Sequence, residues 1–131
     1  MIDWPLYFPN DCPPDDAKDT DNKVFRFVAD SPLTMSDFRI YKEMHPNQVY
    51  GRLECQACGL SVYLDYNDVV EAKRNIPGFS KKQIAVGQLI PGDGVIKPTP
   101  SLKDSSHHTW WKNPNVKILD RFNVESKEYL K

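Results

Sequence analysis

The sequence predicts an α+β fold, a small and mostly antiparallel sheet carrying two short helices, and three observations predict it. Eleven prolines and six glycines cut the 131 residues into short elements. Between these breaks lie several strand-length runs of β-branched and aromatic residues. Only two segments open on a capping residue and continue with helical spacing. Short strands divided by tight turns favour antiparallel pairing over a parallel sheet with crossover helices. A chain of this length suits a single domain that buries roughly two-thirds of its unfolded surface.

Residues 1–22 predict an acidic, proline-rich lead-in, with Asp11-Cys12-Pro13-Pro14-Asp15-Asp16 at its centre. Proline removes backbone donors and fixes φ, which suits neither a helix nor a central strand. Trp4, Leu6, Tyr7 and Phe8 are too apolar for a free tail and are expected to lie along the body. Residues 23–131 then form one α+β domain. Lys23-Val24-Phe25-Arg26-Phe27-Val28 predicts a strand. Thr34 with Asp37 three residues on predicts a capped helix, whose inner face is Met35, Phe38, Tyr41 and Met44 and which ends at His45-Pro46-Asn47. Arg52–Cys55 and Leu60–Leu64 read as extended segments around a tight turn. Asp65 caps a second helix that runs to about residue 74 and closes at Ile76-Pro77-Gly78. Gln83–Ile90 predicts a strand, Pro91-Gly92-Asp93-Gly94 a hairpin turn into Val95-Ile96, residues 97–106 a polar loop, and Ile118–Val124 a last strand.

Composition narrows the function. No run of apolar residues is long enough to cross a membrane. The start, Met1-Ile2-Asp3-Trp4-Pro5, lacks the basic opening and apolar core of a secretory signal. Three cysteines are an odd count, so free thiols and a cytoplasmic location are expected. The net charge of −1 conceals an asymmetry: residues 1–22 carry six acids against Lys18, and the remainder has a surplus of bases. Those bases are scattered, which does not favour nucleic acid as a partner. Phosphate-binding glycine loops, a hydrolase elbow and carboxylates clustered in apolar surroundings are all absent from the sequence.

Three constellations could carry chemistry. Cys55-Gln56-Ala57-Cys58-Gly59 has the spacing of a zinc knuckle, so zinc is a possible cofactor held by Cys55 and Cys58. A structural site needs four ligands, and the other soft donors are Cys12, His45, His107 and His108; the alternative is two small apolar residues at a strand end. Ser105-Ser106-His107-His108-Thr109-Trp110-Trp111 concentrates imidazoles, indoles and hydroxyls. On a strand, His107 and His108 would point to opposite faces. Either could exchange protons near neutral pH, with Ser106 bonding a ligand and Trp110 stacking on it. The alternative is a buried strand whose histidines bond backbone carbonyls. Arg26, a charge inside an apolar strand, either binds an anion or reaches out to solvent along an edge.

Several stretches resemble a group of short, uncharacterised bacterial proteins: Asp11–Ala17, Val24–Val28, Asp37-Phe38, Cys58–Tyr63 and Ser106–Trp111. That likeness spans most of the chain and implies no particular activity. A strand arginine (Arg26) followed by Gly59-Leu60-Ser61-Val62-Tyr63 before a helix is similar to small ADP-ribosyltransferase-like proteins. The similarity implies NAD as the bound molecule, with Arg26 contacting it, Ser61 supporting it and His107 or His108 beyond. No residue matches the late catalytic acid; Glu125 stands near the end outside any such motif. Two function classes follow. The first is a small bacterial accessory or immunity-type module that binds another protein. The second is an ADP-ribosyltransferase-like or other enzyme that processes NAD or a nucleotide in a histidine-containing cleft.

Overall fold

The computed structural model describes residues 2–29, 33–100 and 105–124. Six strands, β1 (Asn22–Val28), β2 (Leu60–Tyr63), β3 (Gln83–Leu89), β4 (Gly94–Pro98), β5 (His107–Lys112) and β6 (Phe122–Val124), form one sheet. Their order is β4-β5-β2-β1-β3-β6, and each neighbouring pair is antiparallel. Three helices, α1 (Tyr41–Met44), α2 (Glu54–Ala57) and α3 (Tyr66–Asn75), complete a small α+β fold together with 3₁₀ turns. None of the helices among the described residues is long and apolar enough to cross a membrane.

The sheet coils, and chain length requires it. β3 and β4 lie four positions apart in the sheet order, yet only residues 90–93 join them. Four strand spacings in a flat sheet are about 19 Å, whereas five residue steps reach at most about 17 Å. Curvature brings the two ends together, and the rings of Trp110 on β5 and Phe122 on β6 meet at 5.9 Å. The concave face therefore encloses the main core: Val24, Val62, Ala85, Leu89, Ile96, Trp110 and Phe122, closed over by Phe38, Ile40 and Ile118. On the other face, Val69 and Ala72 of α3 cover Phe25, Tyr63 and Ile84. Asp65 starts that helix by accepting a hydrogen bond from the Asn67 amide at 2.8 Å.

Four local expectations need correction. The turn at residues 91–94 is not a hairpin, because β4 pairs with β5 and not with β3. Gly94 explains the choice of partner: it sits at a φ of 130°, and a Cβ there would lie 2.2 Å from the Trp111 carbonyl, so β5 can approach this closely only because position 94 is glycine. The three-residue periodicity from Met35 to Met44 is that of a 3₁₀ turn, Met35–Phe38, followed by an extended Arg39 and then α1. As a result Phe38 is buried, while Met35, Tyr41 and Met44 are exposed. Arg52–Cys55 is helical rather than extended, divided between a 3₁₀ turn, Gly51–Leu53, and α2. Ile118–Arg121 is likewise a 3₁₀ turn, leaving Phe122–Val124 as the strand.

Within the lead-in, Trp4, Phe8, Cys12 and Ala17 lie against the core, but Leu6 is fully exposed. Lys18 exchanges backbone hydrogen bonds with Ile96 at 2.9 and 2.8 Å, covering part of the outer edge of β4.

Candidate functional site

β1 behaves differently along its two edges. It pairs with β3 over its whole length, from Asn22↔Leu89 to Val28↔Gln83, but with β2 only at Phe25↔Tyr63. Beyond that pair the strands part. Asp37 turns the chain away after β1, its carboxylate accepting the Ala29 and Thr34 amides, each at 3.0 Å. Arg26 occupies the gap. Its Nη1 donates to the Ser61 carbonyl at 2.8 Å, and its Nε and Nη2 donate to the Asp37 carbonyl at 3.3 and 3.1 Å. The guanidinium lies 5.8 Å from the centre of the Phe38 ring. Burial lowers its pKa to about 10, so it keeps its charge at neutral pH.

The parted strands open into a cleft of about 660 Å³, within the range of ligand-sized sites. One wall is a run of aromatic rings in edge-to-face contact: Phe79 to Phe27 at 4.7 Å, Phe27 to Tyr63 at 5.9 Å and Tyr63 to His107 at 5.3 Å. His107 Nδ1 lies 2.9 Å from the Thr99 hydroxyl, which in turn lies 2.9 Å from the hydroxyl of buried Thr109. Among the described residues, the charged side chains of the lining are Arg26, Arg39 and Lys82 against Asp37. A second groove, about 410 Å³, continues from the first and shares Tyr41, Gln56, Gly59, Leu60 and Ser61 with it. Gly59 forms part of the floor, and a Cβ there would lie 2.3 Å from the Thr109 methyl.

The lip is apolar, with Tyr41, Met44 and Leu53 at 57, 40 and 53% exposure. Polar contacts fasten it. Lys42 Nζ lies 3.0 Å from Glu54 Oε2, and the Tyr50 amide donates to Glu54 Oε1 at 3.1 Å. The Tyr50 hydroxyl donates to the Tyr41 carbonyl, also at 3.1 Å. Hydrogen bonds from Lys42 and then Tyr50 hold the Glu54 carboxyl below the usual range.

The structure thus brings Arg26, Ser61 and His107 to one cleft and places the other residues singled out from sequence elsewhere. Ser106 belongs to the start of α3: its hydroxyl accepts the Asp65 amide at 3.1 Å, and its amide donates to Asp68 at 2.9 Å. His108 donates from Nδ1 to the Ser106 carbonyl at 2.7 Å. Trp110 has no exposed surface, and its Nε1 donates to the Asp93 carbonyl at 3.2 Å. A stacking role for Trp110 is therefore corrected to a core role, since strand alternation turns it into the concave face. Glu125 lies outside the described residues.

The cysteines require a second correction. Cys55 is joined to Cys12 in a disulfide, with Cα atoms 5.5 Å apart. The ground for expecting free thiols and, through them, a cytoplasmic location is thereby removed. Cys58 is buried in the main core, and burial lifts its thiol to about 11. The two sulfurs do not converge as a knuckle because residues 54–57 are helical: Cys55 turns to the lead-in and Cys58 to the core. Among the described residues no cluster of three or more metal-binding side chains forms.

Sequence reasoning missed Phe27, Phe79, Tyr63, Thr99, Arg39 and Lys82 as cleft residues. Phe27 had a local signal, its place beside Arg26 on a strand; the others come together only through the coiling of the sheet. No protein-family model matches this chain, and neither does any curated protein or any solved structure.

Proposed function

We propose that the chain is a small protein-binding module, an accessory or immunity-type partner, that receives a segment of another protein in the joined cleft and groove. The observation that carries this reading is the continuous depression with an apolar lip of Tyr41, Met44 and Leu53. Exposed apolar surface bordered by polar groups is characteristic of interaction sites. The polar groups that a catalytic reading would use are held by the fold. Arg26 is spent on the Asp37 and Ser61 carbonyls, Asp37 on two backbone amides, His107 Nδ1 on Thr99, and Ser106 and His108 on the turn before β5. These ties support binding over turnover of NAD or a nucleotide.

Affinity capture from the native host tests the reading, comparing the wild type with Tyr41→Lys and Leu53→Glu. Both positions are more than half exposed, so both variants should melt like the wild type. The expected result is one partner recovered in stoichiometric amount by the wild type and lost by both variants. Recovery unaffected by either change, or turnover of NAD by the isolated chain with no partner recovered, would overturn it.

A further inference from the structure

We infer that the segment received in this site is acidic as well as apolar, with its carboxylates seated in the cleft beside Arg39 and Lys82. The inference rests on the protein-binding reading and names the chemistry of the partner. Charge complementarity carries it. Among the described residues, Arg26, Arg39 and Lys82 line the cleft against one acid, Asp37, and both Asp37 oxygens already accept backbone amides at 3.0 Å. Asp37 thus offsets one of the three positive charges and leaves a surplus of two among the described lining residues.

Each of the three cations is fixed differently. Arg26 is held at the back by carbonyls and keeps the field of the cleft positive. Arg39 is exposed, with one Nη2 contact of 3.4 Å to the Glu43 carbonyl, and its planar fork suits a carboxylate. Lys82 is half-buried, its Nζ 5.3 Å from the centre of the Phe79 ring. The same wall offers the rings of Phe79 and Phe27 to apolar side chains. Among the described residues the adjoining groove has no acidic side chain in its lining; its polar residues are His45, Gln48, Gln56, Ser61 and Thr109 along with two tyrosines. An extended segment that alternates acidic and apolar residues would meet cations in the cleft and the Tyr41–Leu53 lip beside it. A basic segment would meet repulsion at the same place.

Selection from a library of random peptides displayed on phage tests this before any partner is identified. The baits are the wild type, Arg39→Glu with Lys82→Glu, the charge-preserving Arg39→Lys with Lys82→Arg, and Leu53→Glu. Each bait is first checked by thermal melt. The expected outcome is enrichment of acidic, apolar peptides by the wild type and the charge-preserving bait. Synthetic copies of those peptides should bind the charge-reversed bait about tenfold or more weakly at low salt, with the difference shrinking as salt rises. Enriched peptides that are neutral or basic, or that bind the charge-reversed bait equally well, would overturn the inference and leave the module reading standing. No enrichment sensitive to Leu53→Glu would overturn both.

Discussion

The two edges of β1 make contrasting structures from one strand. Towards β3 it is joined at seven register pairs, and Val24 and Val28 on its concave side are sealed in the core. Towards β2 it is joined at one, and an arginine stands where a backbone ladder would continue. On the closed side, stability comes from buried apolar area: Val24 and Val28 of β1 with Ala85 and Leu89 of β3. On the open side, side-chain hydrogen bonds substitute for backbone ones, and the withheld ladder leaves room for a cleft. The lesson is that a sheet can form a binding site by leaving one seam unfinished, provided the carbonyls exposed there still find donors. Arg26 supplies those donors.

If that contrast is right, truncations in the sealed core and in the cleft wall should cost different amounts. Trp110→Ala removes a fully buried indole and should destabilise the fold by about 3–5 kcal/mol. Phe27→Ala removes a half-buried ring from the cleft wall and should cost about 1–2 kcal/mol. Urea denaturation of both variants measures the difference. Similar costs would mean that the cleft wall is packed as tightly as the core and would break the comparison.

The open side also has a covalent fastener. Cys12 in the lead-in is bonded to Cys55, next to the cleft residue Gln56, and the Cys55 carbonyl accepts the Trp111 indole N–H at 2.8 Å. The bridge closes a span of 43 residues, and such loops are typically stabilised by about 2–4 kcal/mol. Cys12→Ser, or reduction of the wild type, should lower the urea midpoint accordingly. A midpoint indifferent to reductant would show that the lead-in is held by Trp4 and Phe8 without the bridge.

What could be read from the sequence follows the range of each signal. The strand at Lys23–Val28, the Asp65-capped helix and the Thr34–Asp37 capping box depend on neighbouring residues, and all are present. So is the α+β class. Partner choice was not legible: Gly92-Asp93-Gly94 carries a local hairpin signature, but β4 is claimed by β5 from the far side of a coiled sheet. Asp93, buried at 2%, serves that turn by accepting the Ile90 amide and pairing with Arg121 at 3.0 Å. The same limit governs the site. Arg26 stood out because a charge inside an apolar strand is costly wherever it lies, whereas Lys82 and Thr99 look like ordinary loop residues until the chain coils. The Ser105–Trp111 run stood out by composition. Only His107 and Thr109 of that run border the depression, because alternation sends Trp110 to the core.

The smallest expected effect separates the lip from both the core and the bridge. Lys42 and the Tyr50 amide bind the Glu54 carboxylate at the surface, where ion pairs contribute little because water and salt screen them. Its folded-state pKa is depressed, which fixes the sign. The contribution is fully present above the ordinary glutamate range, and it is lost as pH falls through that range to the lowered folded value. Glu54→Gln should therefore lower Tm slightly at neutral pH, less than either preceding change, and the difference from wild type should vanish once the pH is below the lowered folded value. Melts of both proteins across that range provide the test. A loss at neutral pH as large as that of Cys12→Ser would mean that the lip is part of the rigid scaffold. A gap that persists at low pH would mean that Glu54 acts through its size and hydrogen bonds rather than its charge. The small, acid-sensitive loss instead marks the Lys42–Glu54 pair as a surface contact on which the fold depends little.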